Sequence, residues 1–406
     1  MKLLAISEHY FPRVGGTVNY LHETLSALVR QGVDAELWVP GPAPENWLPE
    51  NVDAPAYRVR WVDAGYPSEG DPGREQRYLF CKRVNDEAHA AARSPDAPNL
   101  VHVMFGLFVM EVLDTAGLSV PTVATVHNVP PMECALLPPE APALARLKEL
   151  ARLQAVSWKN NGRLRRHHYD QYIVPSRQVA SLLSGVLPRA PVQVVPHGPT
   201  GELLNLMSPP AKRQPEPGAP LRLLTVGGFA PHKRQHLIPE VADRLKAGGH
   251  RVEWDVVGPA GRIAGYFSSI ETDIQRRGLG SNVRLHRALP FGELAKFYDR
   301  ANLYVQPSTE EGFCITALDA AAAGLPVVAS PAGALPEIAA AGGGLLVESA
   351  IAPLTDAIGR FVAEERWHKA AGRSEQIRDT YSWKSAAATL LERYHALTKV
   401  TRRVDA

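Results

Sequence analysis

The sequence is short of several things that would decide its class at once. Its three cysteines, Cys81, Cys134 and Cys314, are odd in number, far apart and without metal-ligand spacing. That disfavours a disulfide framework and fits a reducing compartment. Charge of one sign is also missing: 44 basic against 42 acidic side chains leave +2, so bulk charge gives no support to nucleic-acid binding. No apolar run can span a bilayer, because the longest, Ala317 to Val347, is Ala/Gly-rich and interrupted by Asp319, three prolines and Glu337. The opening "MKLLAISEHYF" is strand-like and then acquires charge, which does not make a signal peptide. Neither an Asp-x-Asp pair nor a GxGxxG fingerprint occurs. These absences leave a cytoplasmic globular protein as the expectation.

What is present is a repeated rhythm. At 406 residues the chain is too long for one ordinary core, and 45% hydrophobic composition supplies two. Leu3–Pro40 and Leu221–Pro259 each begin with an apolar run, enter a loop with paired glycines and continue as an amphipathic helix. Apolar residues recur at Val18, Leu21, Leu25 and Leu28, and again at Leu237, Val241 and Leu245. Gly32 and Gly248-Gly249 fall where helix C-caps belong. Later apolar runs keep alternating with helical stretches, which implies parallel sheets covered on both faces.

The fold class expected is therefore α/β, with two Rossmann-like doubly wound domains facing across a cleft. Residues 1–206 would form the first and 221–383 the second. The Pro- and charge-rich 207–220 would link them, and a C-terminal helix over 384–406 would pack back on the first domain. In such sheets ligands bind beyond the carboxyl ends of the strands.

Several residues lie at those ends. Gly15-Gly16 precedes a helix whose first N–H groups face outward, either for an anion or simply as a tight turn. Lys233-Arg234, in "VGGFAPHKRQHLI", places positive charge beside a helix start. His127 ends the strand "TVATVHN" and is a candidate for chemistry there. In "EEGFCITALDAAAAGLPVVAS", Glu311 stands at a helix mouth, Gly312 allows close backbone approach, and the N–H groups of Phe313, Cys314 and Ile315 form an anion cradle. Asp319, among alanines that read as buried, lies at most about 12 Å further on. Two carboxylates so spaced suit hydroxyls at the two ends of an extended ligand, such as sugar and ribose diols. The run "RLRRHHYDQY" clusters Arg163, Arg165, Arg166, His167 and His168. It reads either as a solvated helix face or as a patch for an acidic acceptor or anionic lipid.

The stretch from Glu311 to Ser330 resembles the EGF-x-x-x-x-L-E-A-M-A-x-G-x-P-V-V-A signature of the retaining glycosyltransferases of family 4, which have the GT-B fold. "FPRVGG", "VHNV", "YIVPS", "VVPHG", "VGGFAPHKR", "LPFGELAKFYDRANLYVQPS" and "YSWKSAAATLLERY" fall in that family's order over nearly the whole chain. The resemblance implies sugar transfer from a nucleotide-diphosphate donor to a small-molecule, glycan or lipid-linked hydroxyl. By it, Glu311 would hold the sugar, Asp319 the ribose, and Lys233 with the Phe313–Ile315 amides the diphosphate. Gly16 would close from the other domain, His127 would lie beside the reacting sugar, and the base would rest near Arg287. No cofactor and no metal would be needed, charge on the leaving diphosphate being met by cations and amides.

Three positions depart from the family pattern: Asp319 stands for Glu, Gly228 for a phosphate-binding Arg that Arg234 or Arg262 would replace, and Arg287 for a glycine. Gly228 leaves room for a non-catalytic nucleotide-sugar-binding subunit, and the fold also serves nucleotide-sugar epimerases. Donor base, sugar, acceptor and oligomeric state are open at this level.

Overall fold

In the computed structural model the description covers all residues except 13–14, 49–51, 53, 67–72, 130–142, 167, 210–213, 217, 262, 264, 364–366, 368–369, 371 and 405–406. Cys134, His167 and Arg262 lie outside the described residues.

The chain divides into two compact units: Met1–Pro130, Val156–His197 and Ser382–Ala406 form one, and Pro131–Ala155 with Gly198–Tyr381 the other. The first contains strands β1 (Lys2–Ser7), β2 (Asp34–Gly41), β3 (Arg58–Asp63), β4 (Leu100–Phe105), β5 (Thr122–Thr125), β6 (Gln171–Val174) and β7 (Val192–Val194). They pair in the order β3-β2-β1-β4-β5-β6-β7, all parallel. The second contains β8 (Leu221–Val226), β9 (Val252–Val257), β10 (Val283–His286), β11 (Leu303–Gln306), β12 (Val327–Ala329) and β13 (Leu345–Leu346). Their order is β10-β9-β8-β11-β12-β13, again all parallel. Each sheet thus reverses its winding once, between β1 and β4 and between β8 and β11. At such a switch point two loops leave in opposite directions and open a crevice.

The strands are apolar throughout because helices cover both faces. In the first unit these are α1 (Gly16–Arg30), α2 (Arg74–Ala92), α3 (Leu107–Val112), part of α4 (Ala143–Leu164), and α5 (Arg177–Val186). In the second they are α6 (Gly201–Leu206), α7 (Ile238–Ala247), α8 (Tyr266–Arg276), α9 (Phe291–Arg300), α10 (Ile315–Ala322), α11 (Leu335–Ala341) and α12 (Ile351–Ala363). One core gathers Ile6, Val103, Phe80, Ala124 and Val174, the other Leu223, Trp254, Val305, Val328 and Phe361.

The domain boundary falls earlier than 206. Gly198 to Leu206 group with the second unit, where Thr200 is bonded to Asp319 and α6 packs on α9. The expected linker is not free either: Ser208 donates through its amide (3.0 Å) and its hydroxyl (2.9 Å) to the Asp299 carboxylate. The C-terminal helix, Trp383–Val404, groups with the first unit. It lies along α1, and its Tyr394 hydroxyl meets His102 Nδ1 at 2.6 Å.

Candidate functional site

The richest polar arrangement lies at the switch point of the second sheet. After β8 the chain passes Gly227-Gly228 and makes a 3-10 turn over Pro231–Lys233. Buried Gln235 pins that passage by donating to the Gly228 carbonyl at 3.0 Å. After β11 the chain turns through Pro307 to Glu311, and Thr309 N–H donates to His232 O at 2.8 Å. That bond extends the β8–β11 pairing and ties together two segments far apart in sequence.

Lys233 and Glu311 meet there. Nζ lies 2.6 Å from Oε1 and 2.7 Å from Oε2, with side-chain exposures of 20% and 6%. Charges this dehydrated survive only because each compensates the other. Glu311 is held from behind: Ser308 donates to Oε1 at 2.7 Å, and Gln306 Nε2 lies 3.3 Å from the same oxygen while donating to Ser308 Oγ at 2.7 Å. Behind Gln306, its Oε1 is 2.9 Å from the Tyr304 hydroxyl. Gly333 closes the other side, at φ 56°. A Cβ there would meet the Glu311 carbonyl oxygen at 2.5 Å, so only glycine fits.

Immediately beyond Glu311, α10 begins at Ile315. Its N-cap, Cys314, is left-handed (φ 76°) and supplies no side-chain cap. Among the described residues the amides of Cys314 and Ile315 have no acceptor. These two amides lie at the mouth of α10, where a helix start carries partial positive charge. Burial pushes the Cys314 thiol up to about 12, so it stays protonated and is no nucleophile.

Asp319 is buried on α10, as its alanine neighbours imply. It is 1% exposed, and its oxygens accept the Thr200 amide at 2.7 Å and the Thr200 hydroxyl at 3.1 Å. The shorter side chain ends on the segment entering α6. Arg234 also has a partner: it donates to Ser349 O at 3.2 Å, while its buried Nε has none among the described residues. Arg287 is exposed, with its guanidinium 4.8 Å above the Phe267 ring. Gly228 has space, a Cβ reaching Pro259 Cγ at 3.6 Å. Gly312 is partly exposed and Phe313 is buried against Tyr381.

In the first unit Gly15 and Gly16 are exposed at the N-terminus of α1. His127 donates from Nε2 to Met104 O at 3.0 Å, which leaves Nδ1 as the acceptor nitrogen. Burial lowers it to about 4, so it is neutral near pH 7. Sequence reading missed its surroundings. Tyr20 packs edge-on at 4.7 Å, His197 lies 5.7 Å away, and His197 in turn stacks on Trp383. Glu8 was missed too. It is 5% exposed and caps α3 by accepting Val109 N–H at 2.8 Å. Its one sequence signal is a carboxylate directly after the apolar run "LLAIS". The expected basic patch is partly neutralised, since Arg163 pairs with Glu111 at 2.9 Å and Arg165 donates to Val186 O.

Two family models cover most of the chain: "Glycosyltransferase Family 4" matches residues 14–199, and "Glycosyl transferases group 1" matches 211–378. The chain belongs to the family 4 glycosyltransferases. This glycosyltransferase is 28% identical to D-inositol 3-phosphate glycosyltransferase 1 of Catenulispora acidiphila over 82% of its own length and 79% of the relative's. It is also 28% identical to D-inositol 3-phosphate glycosyltransferase of Actinosynnema mirum, over 96% and 94%. Among solved structures it is similar to sucrose-phosphate synthase from Thermosynechococcus elongatus, with TM-score 0.72, 22% identity and coverage of 98% and 99%. It is similar as well to Anabaena HepE, solved in complex with UDP-glucose, with TM-score 0.70, 16% identity and coverage of 98% and 100%. The fold is GT-B. No helix among the described residues is long and apolar enough to cross a membrane.

Proposed function

We propose that this glycosyltransferase takes its sugar from a nucleotide-diphosphate donor, transfers it to a hydroxyl with retention of configuration, and needs no metal. The observation that carries the reading is the Lys233–Glu311 pair beside the uncapped start of α10. A carboxylate alone at a helix mouth would repel a diphosphate. Paired, it stores the cation until a ligand of higher charge arrives. The diphosphate then draws Lys233 Nζ and the Cys314 and Ile315 amides to itself, and Glu311 is released to accept hydroxyl protons from the sugar. Ser308 and Gln306 keep that carboxylate aimed during the exchange.

As the sugar–phosphate bond breaks, the leaving diphosphate gains about one negative charge, which fixed donors stabilise without reorganising. In a retaining transfer the acceptor hydroxyl attacks from the leaving-group face and its proton passes to a phosphate oxygen. The carbon–oxygen bond to phosphate breaks as the new glycosidic bond forms. The absence of any Asp-x-Asp pair from the sequence and the presence of Lys233 support the metal-free reading. UDP- and UDP-glucose-bound HepE structures make UDP-sugars the first donors to try. Donor-dependent thermal shift with UDP-, GDP-, ADP- and dTDP-sugars, followed by slow donor hydrolysis in EDTA, tests it. A stabilising donor that is hydrolysed in EDTA is expected; stabilisation without hydrolysis points to a binding role only, and hydrolysis abolished by EDTA removes metal independence.

A further inference from the structure

One hydrogen bond, from Nε2 to Met104 O, leaves the His127 imidazole free to swing about it. The Tyr20 ring stops the swing, packed against it with centroids 4.7 Å apart and an interplanar angle of 83°. Tyr20 is itself held. Its hydroxyl lies 3.0 Å from Thr125 Oγ1, that oxygen lies 2.8 Å from His102 Nε2, and His102 Nδ1 lies 2.6 Å from the Tyr394 hydroxyl. Three hydrogen bonds thus lead from the C-terminal helix through β4 and β5 to the side chain that braces His127. Burial keeps His102 neutral, so one ring nitrogen donates and the other accepts. Every link is then made at once, with the protons pointing one way along the chain.

The same helix reaches this place a second time. Trp383, its first residue, stacks on His197 at 5.8 Å, and His197 lies 4.6 Å from Tyr20. All of these residues belong to the first unit. Tyr20, His102, Thr125, His197, Trp383 and Tyr394 are buried, and His127 alone among them is partly exposed. Core packing does not ask for such a chain. Phenylalanine at 394 and valine at 125 would fill nearly the same space without hydroxyls that must be paired. A fully satisfied buried network rigidifies what it touches, and this one ends at the group that faces solvent beyond a strand's carboxyl end.

We propose that Tyr394, His102 and Thr125 are positioning residues, holding the His127 ring through Tyr20 in the orientation that sugar transfer needs. The proposal rests on the reading of His127 as the group beside the reacting sugar.

Two variants of the full chain cut the network at different links, Tyr394→Phe and Thr125→Val, and unchanged circular dichroism verifies that they fold. The first readout needs no substrate: ring-nitrogen NMR shifts of labelled histidine, with His127 assigned through His127→Ala. Wild type should show one His127 tautomer, protonated at Nε2, and both variants should show averaged shifts. The second is hydrolysis of UDP-, GDP-, ADP- or dTDP-glucose, whichever thermal shift selects, where kcat should fall about tenfold in both variants with KM unchanged. A lowered Tm with wild-type His127 shifts would make the chain a core fastening and overturn the proposal. Turnover lost in His127→Ala but kept in both chain variants overturns the positioning alone. Turnover that survives His127→Ala removes the histidine from the chemistry, and the proposal falls with that reading.

Discussion

The two switch points share a strand order and differ in what is placed on it. In the first sheet the loop after β1 brings Glu8 to the start of α3, where its carboxylate accepts Val109 N–H. Gly106 sits so close, at φ 137°, that a Cβ would meet Glu8 Cγ at 2.6 Å. The acid there is consumed as a helix cap. In the second sheet the acid after β11 is paired with Lys233, and the following helix start is left uncapped. One acid is spent on a helix start; the other is paired with a cation beside a helix start that has no side-chain cap. The lesson is that equal topology supplies a place, and the local pairing decides whether the place is open to a ligand.

Breaking the pair should have the largest effect. Lys233→Ala is expected to lower kcat by about 10²- to 10³-fold, the loss typical of one fixed donor to developing charge. It also strands Glu311 with Ser308 and Gln306, so a fall in stability of about 3 kcal/mol should accompany it. Lys233→Ala, Glu311→Gln together should recover most of the stability and none of the turnover. Equal turnover in wild type and Lys233→Ala, measured at saturating donor, would take the lysine out of the mechanism.

Asp319→Ala comes next. It leaves the Thr200 amide and hydroxyl buried without acceptors, at about 1–3 kcal/mol. A Tm drop with little change in donor KM would show that the residue fastens α6; a large KM rise without a Tm drop would support the ribose role. The corresponding loss in the first sheet, Glu8→Ala, removes a helix cap and should cost about 1 kcal/mol by urea titration. A cost above that of Lys233→Ala would invert the comparison.

Acid should also separate the units. Burial holds His102 at about 3 and His127 at about 4, and His197 well below its ordinary value. A depressed histidine is neutral when folded and protonates once unfolded, so its contribution is full above about 6.5 and shrinks as pH falls toward the folded value. In the second unit Asp255 is buried, which raises its pKa. Bonds from Arg284 and His286 and the charge of Arg300 outweigh that and hold it below the usual carboxylate range. Its contribution is present above the ordinary aspartate value and fades only below that. Hydrogen exchange at pH 7 and pH 5 should therefore show loosening of β4, β5 and the C-terminal helix before β9 and β10. The reverse order would contradict the histidine burial. The smallest effect is expected for Arg287→Ala, an exposed side chain stacked on Phe267, with less than a twofold change in donor KM.

Much of this was legible in the residue order. Apolar runs divided by helical stretches announced two parallel sheets, and Gly32 and Gly248 marked helix ends. Glu311 and the start of α10 were readable because a charge before a glycine and an alanine-rich helix has no use in a core. Lys233 was readable as a cation near a turn. Its bond to Glu311 was not, because 78 positions separate them and the pairing of β8 with β11 and the Thr309–His232 contact set their distance. Asp319 was legible as buried, yet its partner lies 119 positions away. Pairings of that separation leave no periodic trace.

The sequence by itself determined the periods: which segments are strands, which are helices, where they stop, and which polar residues sit at strand ends. Those follow from local sterics and from apolar spacing along the chain. Only the tertiary structure decided who neutralises whom, since a buried charge takes whichever partner the packed backbone delivers within about 3 Å. That is why Glu8 and Glu311, each an acid just past an apolar strand, serve as a cap in one sheet and as half of an ion pair in the other.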